Sequence, residues 1–163
     1  MYEIGDMVIY GTTGVCTIED IKEMKPPLGG DPKLSYVLKP VYNSCMIYAP
    51  IEGGNVAIRD VISKDEAIKL IDSFATLESE AMTAETTHAL ASQYKEKIFS
   101  NSCEELIELT MSIYTKKKGG KHGATDKRFM KQAEELLYGE FAIALGIGKK
   151  EVPNYIQERI KTA

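Results

Sequence analysis

Val56-Ala57-Ile58-Arg59-Asp60-Val61-Ile62-Ser63-Lys64-Asp65-Glu66 is where the chain changes its hydrophobic period. Val56 to Ile62 is a short run rich in β-branched residues behind the turn residues Gly53-Gly54-Asn55, the pattern of a strand. Ser63-Lys64-Asp65-Glu66 is a capping box, in which the serine oxygen accepts from an early backbone N–H while the glutamate reaches back. Ala67, Leu70, Ile71 and Phe74 follow at helical spacing. Sheet on one side of this junction and helix on the other predict two domains, residues 1–62 and 63–163.

Upstream, Met7 to Tyr10 is a short apolar run closed by Gly11-Thr12-Thr13-Gly14, and Val15 to Ile21 resumes with β-branched residues. Glycine at both ends of that link suits a tight turn with positive φ. Lys25-Pro26-Pro27-Leu28-Gly29-Gly30-Asp31-Pro32 continues neither a helix nor a central strand. Leu34–Val41 and Cys45–Ala49 flank Asn43-Ser44 and predict a hairpin. Five short strands with brief turns favour a small, strongly bent barrel of the Tudor or SH3-like kind.

Downstream the periodicity predicts a compact all-α domain of about five helices, making the whole an α+β chain. Beyond the helix at Ser63, a second spans about Ala84 to Phe99. A third starts at the box Ser102-Cys103-Glu104-Glu105, carries Leu106, Ile107, Leu109, Ile113 and Tyr114 to the core, and stops at Gly119-Gly120. The fourth runs from Thr125 through Phe129, Ala133, Leu136, Leu137, Phe141 and Leu145 to Gly146. The last has Pro153 in its first turn and Tyr155, Ile156 and Ile160 on its buried side.

With 163 residues, 44% of them hydrophobic and 27% charged, the chain has the composition of a soluble globular protein rather than a disordered one. No stretch approaches the roughly 20 apolar residues that span a bilayer, and MYEIGDMVIY lacks the pattern of a secretory signal. A cytoplasmic location is expected. Cys16, Cys45 and Cys103 are widely spaced and distant from His88 and His122, so buried reduced thiols are expected rather than a zinc site. Gly146-Ile147-Gly148-Lys149-Lys150 follows a helix and lacks the spacing of a phosphate-binding loop, and reads as a helix C-cap with a linker. No nucleophile–base arrangement is recognisable. The chain is expected to be no enzyme and to need no cofactor, metal or small-molecule substrate.

The net charge of −4 conceals one local anomaly. Residues 116–131 hold Lys116, Lys117, Lys118, Lys121, Lys127, Arg128 and Lys131 against Asp126 alone. Cations gathered where one helix ends and the next begins suit phosphate contacts, and Thr125 at a helix start adds backbone N–H donors. A solvated loop is the competing reading of the same residues.

Ile4-Gly5-Asp6-Met7-Val8-Ile9-Tyr10, Tyr36-Val37-Leu38-Lys39, Gln93-Tyr94-Lys95 and Asp126-Lys127-Arg128, in order and over nearly the whole chain, resemble motifs of the CarD/CdnL family of bacterial transcription regulators. Ile4-Gly5-Asp6-Met7-Val8-Ile9-Tyr10 with Gly14-Val15 resembles the family's opening segment, and Tyr36-Val37-Leu38-Lys39, the strand ending Ala49-Pro50 and Val56 to Ser63 resemble the segments that follow. In the second half, Gln93-Tyr94-Lys95 and Asp126-Lys127-Arg128 through Leu136-Leu137-Tyr138-Gly139-Glu140 are similar to family helices. The resemblance implies a Tudor-like domain that docks on the RNA polymerase β subunit by strand pairing. It also implies a helical domain that meets promoter DNA at the upstream edge of the melted bubble, near the primary sigma factor, and favours the open complex.

Carried over by position, polymerase contact falls on Met24, Ile47 and Tyr48. DNA contact falls on Leu90, Lys95, Lys127 and the neighbouring bases Lys116, Lys117, Lys118, Lys121, Arg128 and Lys131. The chain departs from the family pattern in two places. Leu90 stands where a tryptophan wedge is usual, and Met24 and Tyr48 stand where arginines are usual. Polymerase docking through backbone pairing is compatible with these changes. They leave open an adaptor whose helical domain contacts another protein rather than DNA.

Overall fold

The computed structural model describes residues 1–74, 76 and 81–162. It divides into a unit spanning Met1–Val61 and a second beginning at Ile62.

The first unit is one antiparallel sheet of β1 (Met7–Tyr10), β2 (Gly14–Met24), β3 (Lys33–Pro40), β4 (Ile47–Pro50) and β5 (Ile58–Asp60), in the order β4-β3-β2-β1-β5. Directly opposed residues share a face, so the register fixes the core. Ile18 faces Leu38, which faces Ile47, and Ile21 faces Tyr36, which faces Ala49. Ile18 and Ile21 are three apart and would point to opposite faces of a regular strand. A bulge between Ile18 and Asp20 absorbs the odd residue and keeps both on the core face. Val8, Cys16, Ile18, Tyr36, Leu38 and Ala49 form that core.

Two expectations are corrected here. The sheet does not close into a barrel: among the described residues β4 and β5 are its outer strands and each pairs on one side only. The run expected as a strand from Val56 to Ile62 pairs only over Ile58–Asp60, and its partner there is β1. Among the described residues no disulfide joins the three thiols, but Cys45 is exposed, while Cys16 and Cys103 are buried. Burial pushes the Cys16 thiol up to about 11, with a smaller contribution from Cys45.

The second unit contains α1 (Lys64–Ser73), α2 (Thr87–Phe99), α3 (Cys103–Lys118), α4 (Ala124–Leu145) and α5 (Val152–Thr162). Ser63 Oγ accepts from the Glu66 N–H at 3.1 Å, and Ser102 Oγ from the Glu105 N–H at 3.4 Å, so both sequence boxes cap helices. α2 begins three residues later than Ala84, where Thr86 Oγ1 accepts from the Ala89 N–H at 3.0 Å. α4 packs against each of the other four helices, and Leu109, Ile113, Phe129, Ala133, Leu137 and Phe141 lie in the shared core. Its Glu140, only 2% exposed, accepts the Ile62 N–H at 3.0 Å and the Cys103 thiol at 3.1 Å, which anchors the entry to this unit. Tyr114 and Ile160, expected in the core, are 45% and 36% exposed. They occupy the margins of their helical stripes and line a cleft instead. Among the described residues no helix is long and apolar enough to cross a membrane.

Ser63→Ala is expected to lower the unfolding free energy of the helical unit by about 1 kcal/mol, and Ser63→Gly by only a few tenths. Urea denaturation followed by far-UV circular dichroism measures both.

Candidate nucleic-acid and polymerase interfaces

The last turn of α3 ends on a Schellman motif. The Gly120 N–H bonds the Lys117 carbonyl at 3.2 Å and the Lys121 N–H bonds the Lys116 carbonyl at 3.0 Å. Gly120 has φ +73°, the left-handed conformation this closure demands. Three residues on, Gly123 is the N-cap of α4, its N–H donating to Asp126 Oδ2 at 2.9 Å. An acidic residue in the first turn also suits the positive end of the helix.

Asp126 is 3% exposed, and its other oxygen has two further partners. Lys116 Nζ donates to Oδ1 at 2.8 Å, and the Tyr94 hydroxyl donates to the same atom. Lys116 Nζ also lies 3.2 Å from the Tyr94 hydroxyl. Burial pushes the Asp126 carboxyl up, but Lys116, Tyr94 and the Gly123 N–H together outweigh it and hold the group below the usual carboxylate range. Burial and the hydrogen bond to Asp126 push the Tyr94 phenol well up, so it remains a donor. The Tyr94 ring meets Phe129 edge to face at 5.4 Å.

Lys116 is therefore withdrawn from the basic cluster: it is 7% exposed and its ammonium is committed to Asp126. The sequence carried a signal for this, because Leu109, Ile113 and Lys116 lie on one helical stripe and the first two are fully buried. Lys117, Lys118, Lys121, Lys127, Arg128 and Lys131 are exposed, as is Lys95 on α2. Since Lys116 and Asp126 cancel one another internally, the local positive surplus falls wholly on exposed side chains. Lys118 Nζ lies 5.0 Å from the Tyr114 ring centroid, and the Arg128 guanidinium 4.8 Å from that of Phe129. Leu90 is half-buried against the helical core.

On the sheet, Tyr48 is 50% exposed on the outer strand β4, on the face opposite the core. Lys22 Nζ sits 5.9 Å from its ring centroid, a neighbour that sequence reading missed. Ile47, the adjacent residue, turns toward the core face and is half-buried. Tyr48 stands opposite Val37, which stands opposite Asp20, whereas Met24 pairs with Lys33 at the end of β2. The three polymerase candidates thus fall on two strands, with Met24 outside the Tyr48 row.

A further surface of the helical unit is a cleft of about 420 Å³ lined by Phe74, Met111, Tyr114, Met130, Ile156 and Ile160 among others. Glu134 is on its wall, and burial raises its carboxyl against the opposing effects of Tyr138 and Lys117.

An exposed strand edge on a small β unit, with a cationic junction on a helical unit, defines an RNA polymerase-interacting, transcription-associated protein once the family matches are added. Residues 2–62 match the CarD-like/TRCF RID domain, and residues 63–157 match the CarD C-terminal domain. The chain belongs to the CarD/CdnL family.

Lys116→Ala is expected to cost about 3–5 kcal/mol, because it leaves the Asp126 charge buried without its counter-ion. The adjacent exposed Lys117→Ala should stay within about 0.5 kcal/mol of wild type. Denaturation of the two variants side by side checks this.

Because the folded-state Asp126 carboxyl is depressed, its stabilising contribution is present above the ordinary carboxylate pKa of about 4 and is lost as pH falls through the depressed value. The stability gap between wild type and Asp126→Asn is therefore expected to shrink as the medium is acidified below about pH 4. Urea midpoints across an acid pH series measure it. A gap that widens on acidification contradicts this sign.

Proposed function

We propose that this protein is a bacterial transcription regulator whose residues 1–62 bind the RNA polymerase β subunit. Residues 63–163 contact promoter DNA at the upstream edge of the bubble, near the primary sigma factor, and stabilise the open complex. The observation that carries the DNA half of this reading is the junction of α3 and α4. There Lys117, Lys118, Lys121, Lys127, Arg128 and Lys131 are exposed while the only acid among them is buried. Contacts from such cations go to phosphates, so they position the protein on DNA without reading sequence. Stabilisation of the open complex follows when the contacts are stronger with melted than with closed DNA, because a ligand shifts an equilibrium only by its differential affinity. The half-buried Leu90 leaves the wedge role to part of one leucine side chain.

The polymerase half rests on the family match to residues 2–62 and on β4, an outer strand with a free edge for pairing. Tyr48, with Lys22 beside its ring, offers an aromatic and cationic surface next to that edge. The reading involves no catalysis and no cofactor, and it implies a cytoplasmic protein held at the nucleoid through polymerase.

One observation favours a second reading, an adaptor whose helical unit contacts another protein. The cleft beside Tyr114 and Ile160 exposes apolar side chains that a partner's apolar residues would cover.

The discriminating experiment uses the full chain with polymerase holoenzyme on a linear promoter. Wild type is expected to slow the decay of preformed open complexes. Lys127→Glu combined with Arg128→Glu should abolish most of that effect while leaving polymerase binding intact. Unchanged decay with wild type at saturation refutes open-complex stabilisation. Retained activity in the charge-reversed variant, together with loss in Met111→Lys, favours the adaptor.

A further inference from the structure

Each of the three buried polar side chains that meet at Asp126 is followed in sequence by an exposed cation. Tyr94 precedes Lys95 on α2, Lys116 precedes Lys117 on α3, and Asp126 precedes Lys127 on α4. We infer that Tyr94, Lys116 and Asp126 form a positioning clamp that holds these cations in one fixed arrangement for phosphate contact. The inference deepens the DNA-binding reading and rests on it.

The geometry supplies the argument. Asp126 joins three helices through one carboxylate: Oδ1 takes Lys116 from α3 and Tyr94 from α2, and Oδ2 takes the Gly123 N–H at the head of its own helix. The intervening loop is tied at both ends, because the Lys116 carbonyl also receives the Lys121 N–H. Lys121 is thereby held through one backbone bond to the same residue whose side chain enters the clamp. Among the described residues no buried side-chain nitrogen or oxygen lacks a partner, so the network is complete. A buried ion pair is a poor device for stability alone, since well-packed apolar residues often serve as well or better. Its distinguishing property is directional: three donors converge on one acceptor group only when the three helices hold one relative placement. Functional groups need such support from locked neighbours to act together.

The clamp makes a prediction opposite in sign to simple electrostatics. Asp126→Asn removes a negative charge beside a cationic surface, so charge counting predicts tighter DNA binding. The clamp predicts weaker binding, about fivefold, because the cations no longer engage phosphates together. It also predicts a shallower dependence of log Kd on log salt, reduced by about one unit, since that slope counts displaced counter-ions at roughly 0.9 per phosphate contacted. Tyr94→Phe, which keeps the ring against Phe129 and removes only the hydroxyl, should shift both quantities in the same direction by a smaller amount. A merely structural role lowers the fraction of active protein without altering the slope, so active fraction is measured separately by stoichiometric titration.

The experiment is fluorescence anisotropy of the full-length variants with a forked duplex across a salt series. Reduced slope and affinity in both variants support the clamp. Wild-type binding with an unchanged slope in both variants, or tighter binding by Asp126→Asn, overturns the clamp and leaves the DNA reading standing. A wild-type protein without salt-dependent DNA binding overturns both.

Discussion

A carboxylate taken out of water must be matched by donors, and in the helical unit Asp126 meets this requirement with partners from three helices. The Lys116 ammonium supplies the charge, Tyr94 a phenolic proton, and Gly123 a backbone N–H at the head of α4. Much of what surrounds it follows from that constraint. α3 has to end where its Lys116 can still reach α4, so the Schellman turn at Gly120 falls directly after it. α2 has to bring Tyr94 in from the other side, where its ring also packs on Phe129. Three of the exposed cations of this region, Lys95, Lys117 and Lys127, are the residues that come next in the chain.

In the β unit the governing constraint is register. A bulge between Ile18 and Asp20 keeps Ile21 on the same face as Ile18, so one strand contributes a continuous apolar edge to the core despite an odd spacing. On the opposite face Val37 and Ser35 are buried, and Tyr48 with Lys22 is exposed beside them at the outer strand β4. Among the described residues the two outer strands each pair on one side, which leaves the sheet open. In a solitary protein an open edge is a liability, and it is the edge on which the proposed strand pairing with polymerase rests.

Much of this was legible beforehand. Ser63 and Ser102 cap helices where their four-residue boxes say they should, and Gly119-Gly120 and Gly146 end helices as their composition predicts. The cationic junction was also legible, as a count. Its internal division was not. Lys116 looked like one of a run of three lysines, yet it shares a stripe with Leu109 and Ile113 and faces inward. Tyr114, read as core, and Cys45, read as a buried thiol, are exposed. Each of these misreadings concerns burial, which periodicity indicates only to within the width of a helical stripe or a strand face.

By itself the sequence determined the local elements: the caps, the turns, the change of period at Ile62 and Ser63, and the family motifs. These are set by residues within about one helical turn of each other, so they can be read without knowing the fold. Tertiary structure alone decided which charges are inside and which strands lie at the edge of the sheet. Tyr94 and Asp126 are 32 residues apart, and Ile62 and Glu140 are 78 apart. A buried charge is tolerated only where a distant partner arrives to satisfy it, and no local pattern states that it will.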